Sequence, residues 1–144
     1  MAFISSNYLT DLEMTAQRIL DRIDGLLAIV ISDKDGVTVL KVAHPSVSDS
    51  SSTILTPDFL SSYSLALDQV TKLPVGEAKA VYALHGEQQI AHFVIGVYYM
   101  SFLAQANANY GIFPTLAKEF NDLHSDSVGK LISSVLESGR HPIV

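Results

Sequence analysis

The sequence predicts a mixed α/β (α+β) sandwich: a five-stranded antiparallel sheet with helices on both faces, in the order α-β-β-α-β-β-β-α. Three observations carry this. Apolar residues recur at helical spacing in three separate segments, Asn7–Ile23, Pro57–Val70 and Ile112–Glu137. Five short β-prone runs lie between them in two groups. Within each group the turns are too short for crossovers, which favours antiparallel pairing. Several runs are apolar at nearly every position, as strands covered from both sides are.

The first helix carries Leu9, Leu12, Ala16, Ile19, Leu20 and Ile23 at spacings of three and four. Asn7 or Thr10 is its expected cap. Asp24-Gly25 ends it, because Gly accepts the left-handed conformation beyond a helix. A hairpin follows, with strands Leu26–Ser32 and Val37–Val42 around Asp33-Lys34-Asp35-Gly36. Asp can bond its own backbone in such a turn, and Gly36 can take a positive φ. The run Leu26–Ile31 is too apolar to face water on either side, so the hairpin is expected in the centre of the sheet.

Residues His44–Thr56 are rich in Ser, contain Pro45 and lack a periodic apolar pattern. They read as a flexible connector, with a phosphorylated loop as the functional alternative. Thr56-Pro57-Asp58 opens the second helix: a capping residue, a residue suited to the first helical position, and an acid at the positive helix end. Phe59, Tyr63, Ala66 and Val70 share one stripe, and Leu60 and Leu67 widen it on one flank. A stripe this broad exceeds what one sheet surface requires. The helix is either deeply sunk, or it touches its own sheet and also a second protein.

Leu73-Pro74-Val75-Gly76 breaks that helix. Strands Ala78–Leu84, Gln88–Ile95 and Val97–Gln105 follow, punctuated by His85-Gly86-Glu87 and Gly96. Ala106–Gly111 connects to the last helix, which tolerates Pro114 in its first turn. Ile112, Phe113, Leu116, Ala117, Phe120, His124, Val128, Leu131, Val135 and Leu136 keep one face to about Glu137. Ser125 and Gly129 weaken its middle, where a kink is expected, and Ser138–Val144 reads as a frayed tail. With no internal repeat, the 144 residues are expected to form one domain.

Composition narrows the function. The hydrophobic fraction, 48 %, is high for a domain of this size, and a buried interface is a place for the excess. There is no cysteine, which excludes disulfides and cysteine-ligated zinc and fits a cytosolic protein. The formal net charge is −6, and the nine basic residues form no stripe with interleaved aromatics, against nucleic acid or a polybasic membrane patch. No signal peptide, prenylation box or myristoylation start is visible. The longest apolar stretch, Val94–Ala104, is well short of the roughly 20 residues a membrane span needs. Any membrane location is therefore expected through a partner.

No chemistry surfaces. Asp33-Lys34-Asp35-Gly36 fails as a calcium loop, because the Gly comes too early and His44 occupies the position of the closing Glu. The histidines, His44, His85, His92, His124 and His141, show no paired zinc spacing. His92 alternates with strand neighbours and reads as a surface residue; His124, on a helical stripe, reads as a satisfied boundary histidine. A nucleophile elbow, a phosphate loop and a dinucleotide fingerprint are all missing. No catalytic residue, metal or cofactor is expected. An apolar-rich, motif-poor domain with an over-wide helix stripe reads as an interaction module.

Two blocks carry a resemblance. Residues Gly25–Ala43 (Gly-Leu-Leu-Ala-Ile-Val-Ile-Ser-Asp-Lys-Asp-Gly-Val-Thr-Val-Leu-Lys-Val-Ala) resemble the opening hairpin of the roadblock/dynein light chain domains, nearest to the MAP-kinase-scaffold subunits of Ragulator. Pro57–Leu73 resembles their central helix, and Ser101–Gly111 their last strand with its small-residue loop. The likeness spans about Asp21 to Leu123. It implies a roadblock-like sheet and a heterodimer with a second roadblock subunit, the two sheets joined edge to edge through the third strand and the central helices side by side. It assigns Leu60, Ser64, Leu67 and Thr71 to the partner-facing flank of the helix. It makes Ala78–Leu84, with Ala78, Ala80, Val81, Tyr82 and Ala83, the joining edge. An unpaired apolar edge is an aggregation hazard on its own, which a permanent partner removes.

The implied function is non-catalytic scaffolding. Within a Ragulator-type complex, alongside the other Ragulator subunits, the chain docks Rag-type GTPases for signalling to TOR complex one, and MEK or ERK kinases as a further role. The site of action is the cytoplasmic face of late endosomes or lysosomes (the vacuole), reached through a lipidated partner. The alternative is another roadblock module, a dynein light chain or a GTPase-regulating homodimer. A small-molecule-binding or enzymatic domain is a third class, which a ligand that raises Tm in the absence of any protein partner would favour.

Overall fold

The computed structural model describes residues 2–47, 55–96, 98–124 and 128. Helix α1 is Ala2–Arg22, β1 is Leu26–Ser32 and β2 is Thr38–Ala43. Helix α2 is Pro57–Thr71, and β3, β4 and β5 are Ala80–His85, Gln88–Ile95 and Tyr98–Gln105. A short 3-10 turn, Tyr110–Ile112, leads into α3, residues 113–124, and Val128 is again helical. The element order is that expected from the sequence. The expectations for Ser48–Ile54, the kink after His124 and the tail Ser138–Val144 lie outside the described residues.

All neighbouring strands are antiparallel, in the order β2-β1-β5-β4-β3. This corrects the position of the opening hairpin. β5 holds the centre, because it pairs with β1 on one side and β4 on the other. β2 is an edge, and Thr38 and Lys41 on it face water. The apolar run of β1 is buried because strands flank it and helices cover it, without its being the middle strand. The turn is as expected: Asp33 Oδ1 accepts the amides of Asp35 and Val37 at 2.9 and 3.0 Å, and Gly36 has φ of +83°.

Helix α1 starts at Ala2, so neither Asn7 nor Thr10 is its cap. Thr56 does hold the N-cap position of α2, with extended backbone and Pro57 at the start of the helix, although its side chain makes no capping bond. Gly36 lies so close to that helix start that a Cβ there would stand 2.3 Å from the Pro57 carbonyl oxygen. The hairpin turn and the first residue of α2 are thus packed backbone to backbone.

Side chains alternate between two sheet faces. One face meets α1 and α3 through Leu12, Ala16, Ile19, Leu20, Phe113, Leu116 and Phe120, which pack on Ile29, Ile31, Met100 and Phe102. Phe102 and Phe113 stack with centroids 5.2 Å apart and planes 4° from parallel. The opposite face meets α2, through a smaller cluster of Leu55, Leu60 and Tyr63 on Ala28, Val30, Ile90 and Leu103. A leucine sealed like Leu60 contributes about 1.5–3 kcal/mol.

Candidate partner-binding face

Strand β3 ends the sheet, and among the described residues no further strand pairs with its outer side. The joining edge expected from the sequence is therefore an edge in the fold. It is displaced slightly, since the strand runs Ala80–His85 and Ala78 precedes it. Ala80, Tyr82 and Leu84 lie on the α1/α3 face; Val81, Ala83 and His85 lie under or beside α2. Tyr82 is 44 % exposed and Leu84 72 % exposed, while Ala80, Val81 and Ala83 are half-buried. Tyr82 meets Phe93 and Tyr110 edge to face, so an aromatic wall rises beside the open edge. Burial, and then the charge of Tyr110, raise the Tyr82 hydroxyl above its ordinary pKa.

Helix α2 departs from the expected orientation. The inward stripe is Leu60, Tyr63, Ser64 and Leu67, all buried, rather than Phe59, Tyr63, Ala66 and Val70. Ala66 faces water, and Val70 is 43 % exposed. This corrects the assignment of Leu60, Ser64 and Leu67 to a spare, partner-facing flank: that flank is taken by the chain's own sheet. The reason is polar. Ser64 Oγ lies 3.0 Å from His92 Nε2, and His92 Nδ1 lies 2.7 Å from Ser101 Oγ. A buried serine beneath a helix looks like a surface residue in the sequence, so the apolar count points the stripe toward Ala66 and Val70. His92 is likewise fully buried, not on the surface, and burial pushes its imidazole down to about 4.

Thr71, the fourth residue of the expected helix flank, is exposed at the helix end. Its hydroxyl donates to the Leu67 carbonyl at 2.8 Å and accepts the Ala78 amide at 3.1 Å. It thereby ties the end of α2 to the approach of β3. Tyr63 adds a second tie, its hydroxyl 2.6 Å from His85 Nε2. Leu73 and Val75, to which the sequence assigned no binding role, stand outward in the same region, the latter 75 % exposed, while exposed Leu65 stands on the other flank of the helix, beside Lys34, Asp35 and Tyr99. Leu73 and Val75 follow the helix break, where isolated leucine and valine among Pro and Gly carry no periodic signal.

At the far end of β4, buried Gln89 donates to the carbonyls of Gln105, Ala106 and Ala108. One amide group thus organises the small-residue loop after β5. Gly25, at φ +82°, allows Ala108 to approach its backbone. Thr15 Oγ1 lies 2.8 Å from His124 Nε2, which makes His124 the satisfied boundary residue expected of it. Among the described residues no three His, Asp or Glu side chains gather as metal ligands would, and no helix is long and apolar enough to cross a membrane.

Comparison with known proteins agrees with this architecture. The family model described as mitogen-activated protein kinase kinase 1 interacting matches residues 10–132. The Ragulator complex protein LAMTOR3 of Rattus norvegicus is 36 % identical over 118 residues, covering 82 % of this chain and 93 % of its own length. The LAMTOR3-A protein of Xenopus laevis is 37 % identical over 114 residues, covering 79 % and 90 %. Among solved structures, Myxococcus xanthus MglB superposes with a TM-score of 0.63 at 14 % identity, over 87 % of this chain and 97 % of that one. A roadblock/LC7 domain from Streptomyces avermitilis gives 0.55 at 13 % identity, over 86 % and 97 %. The fold is that of the roadblock/LC7 domains, and the chain belongs to the mitogen-activated protein kinase kinase 1 interacting family.

Proposed function

We propose that this chain is a non-catalytic scaffold subunit of a Ragulator-type complex. It heterodimerises with a second roadblock-domain subunit through the outer side of β3. The observation that carries this is the open edge at Ala80–His85, flanked by exposed Tyr82 and Leu84, in a chain whose relatives are named as Ragulator subunits. Pairing along β3 satisfies the outward backbone groups of the strand and covers Leu84, which removes the hazard of an unprotected edge. Ala78, Ala80, Val81, Tyr82 and Ala83 form the edge contact, with Thr71 beside it. Val70, Leu73 and Val75 supply the apolar shoulder on the α2 side.

The assembled pair docks Rag-type GTPases for TOR complex one signalling and offers a platform for MEK or ERK kinases. It sits on the cytoplasmic face of late endosomes or lysosomes, held by a lipidated partner. The test is mass spectrometry of proteins co-purified with the tagged full chain. A second roadblock subunit recovered in equal amount, with further Ragulator subunits and Rag-type GTPases below it, is the expected result. A monodisperse monomer at high concentration that captures no roadblock protein would overturn the reading, and a homodimer with no partner would replace it with a self-pairing roadblock module.

A further inference from the structure

The cluster beneath α2 has a polar centre. Val30, Ser101, His92 and Val81 form one row across β1, β5, β4 and β3. His92 fills the middle of that row, fully buried and stacked on Tyr99, with centroids 5.2 Å apart. Its two ring nitrogens reach one hydroxyl above, on the helix, and one beside it, on β5. Ser64 Oγ also reaches the Leu60 carbonyl at 3.3 Å. A hydroxyl has a single proton. If Ser64 donates it to Leu60, Ser64 must accept from His92, and His92 must carry its proton on Nε2. Nδ1 is then the acceptor for Ser101. Only this tautomer satisfies all three bonds.

The apolar cluster under α2 is the smaller of the two, and hydrophobic burial is non-directional, so it draws the helix onto the sheet without itself specifying one roll about the helix axis. A hydrogen-bonded chain from helix to two strands does set that rotation. A buried polar network that specifies one packing among several is a known use of such groups. The rotation decides which side chains of α2 stand beside the β3 edge. With the present roll these are Phe59 and Tyr63, both against His85, with Val70 on the same flank.

We infer that His92, acting through Ser64 and anchored by Ser101, is a positioning residue that fixes the roll of α2 and thereby selects the partner subunit. This rests on the reading that α2 and the β3 edge together form the partner surface. Tyr63–His85 ties the middle of the helix to β3, Thr71–Ala78 ties its end to the approach of β3, and Ser64–His92–Ser101 ties its middle to β4 and β5.

The chain has no cysteine, so spin labels attach only where they are placed. Labels at Leu65→Cys on α2 and Glu87→Cys in the β3–β4 turn should give one narrow distance distribution in the otherwise unchanged full chain. Ser64→Ala, and separately Ser101→Ala, should shift or broaden it. Ile90→Val, a core change on the same face that keeps the polar chain, should leave it alone. Unlabelled Ser64→Ala should capture the co-purifying roadblock subunit at least tenfold more weakly than Ile90→Val does at matched Tm. Imidazole nitrogen NMR should show His92 protonated at Nε2. Unchanged label distances in both serine variants, a changed distance with unchanged partner capture, or an Nδ1 proton would each overturn the inference. If the unsubstituted chain captures no roadblock subunit, the partner reading fails by itself, and the label distances still decide whether the tether sets the roll.

Discussion

The two faces of this sheet are built by opposite means. On the α1/α3 side the interior is continuous hydrocarbon: Phe93, Phe102 and Phe113 in ring contact, with leucines and isoleucines around them. Its side-chain hydrogen bonds, Thr15–His124, Tyr98–Asn121 and those of Gln89 to the loop after β5, stand at the periphery and are only part-buried. On the α2 side the apolar cluster is small and the centre is a histidine between two serines. Hydrocarbon burial is strong but non-directional, whereas hydrogen bonds are modest in net strength and strict in geometry. The first face buries the larger apolar cluster and is expected to supply more of the stability. The second gives up some of it to hold one helix at a set angle beside an open edge.

The largest expected effect lies on the hydrocarbon face. Phe102→Ala removes a fully buried ring that stacks on Phe113 and meets Phe93. Loss of about 3–5 kcal/mol is expected, measured as the change in denaturant midpoint at constant m. An effect below about 1 kcal/mol would mean the two faces share the load evenly, and the contrast would fail.

The next effect belongs to the polar face and depends on pH. His92 falls from its ordinary 6.5 to about 4 because burial disfavours the charged ring. The unfolded chain therefore binds a proton between these values while the folded chain does not, so stability rises with pH across this window and is lost as pH falls from 6.5 toward 4. At about 1.4 kcal/mol for each tenfold change in proton affinity, the whole window amounts to about 3 kcal/mol. His92→Gln should flatten that part of the stability-against-pH curve, read as the difference between the two proteins. Parallel curves would show that His92 titrates as an exposed histidine does.

A smaller effect tests where the two halves of the α2 face meet. Gly36→Ala forces a side chain into a left-handed position and drives a Cβ against the Pro57 carbonyl. About 2 kcal/mol of destabilisation is expected, since the conformation alone costs roughly 1–2 kcal/mol. Hydrogen exchange should rise first in the opening turns of α2.

The contrast between the faces also explains what could be read from the chain before its structure. The α1/α3 side was legible because its residues obey one rule: Leu12, Ala16, Ile19, Phe113, Leu116 and Phe120 keep helical spacing, and the strands facing them are apolar. The antiparallel order and the β3 edge followed from turn lengths and from the family likeness. The α2 side misled because its rule is different. Ser64 and His92 are buried through each other, and a polar residue whose partner lies 28 positions away looks solvent-facing. The spacing of apolar residues alone therefore points the helix stripe toward Ala66 and Val70 and puts Leu60 and Leu67 on a spare flank. Likewise, the apolar run of β1 suggested a central strand, although burial on both faces requires only flanking strands and covering helices.

That correction moves the decisive interface substitution from the helix to the strand. Leu67→Asp would place a charge in the folded interior, so loss of partner binding after it would say nothing about the interface. Leu84 is the better probe, because it is 72 % exposed on the open edge and its replacement leaves the interior untouched. Leu84→Lys should change the stability of the isolated chain by no more than about 0.5 kcal/mol, as surface substitutions do. Lysine on an edge strand is also a recurrent natural device against strand pairing, because joining another sheet would bury its charge. Capture of the second roadblock subunit should therefore collapse while Tm in its absence stays put. If capture survives at wild-type level, β3 is not the joining edge, and the exposed apolar shoulder at Val70, Leu73 and Val75 becomes the next surface to break. A Leu73→Asp variant, equally neutral for folding because that side chain faces water, would then be the one to lose it.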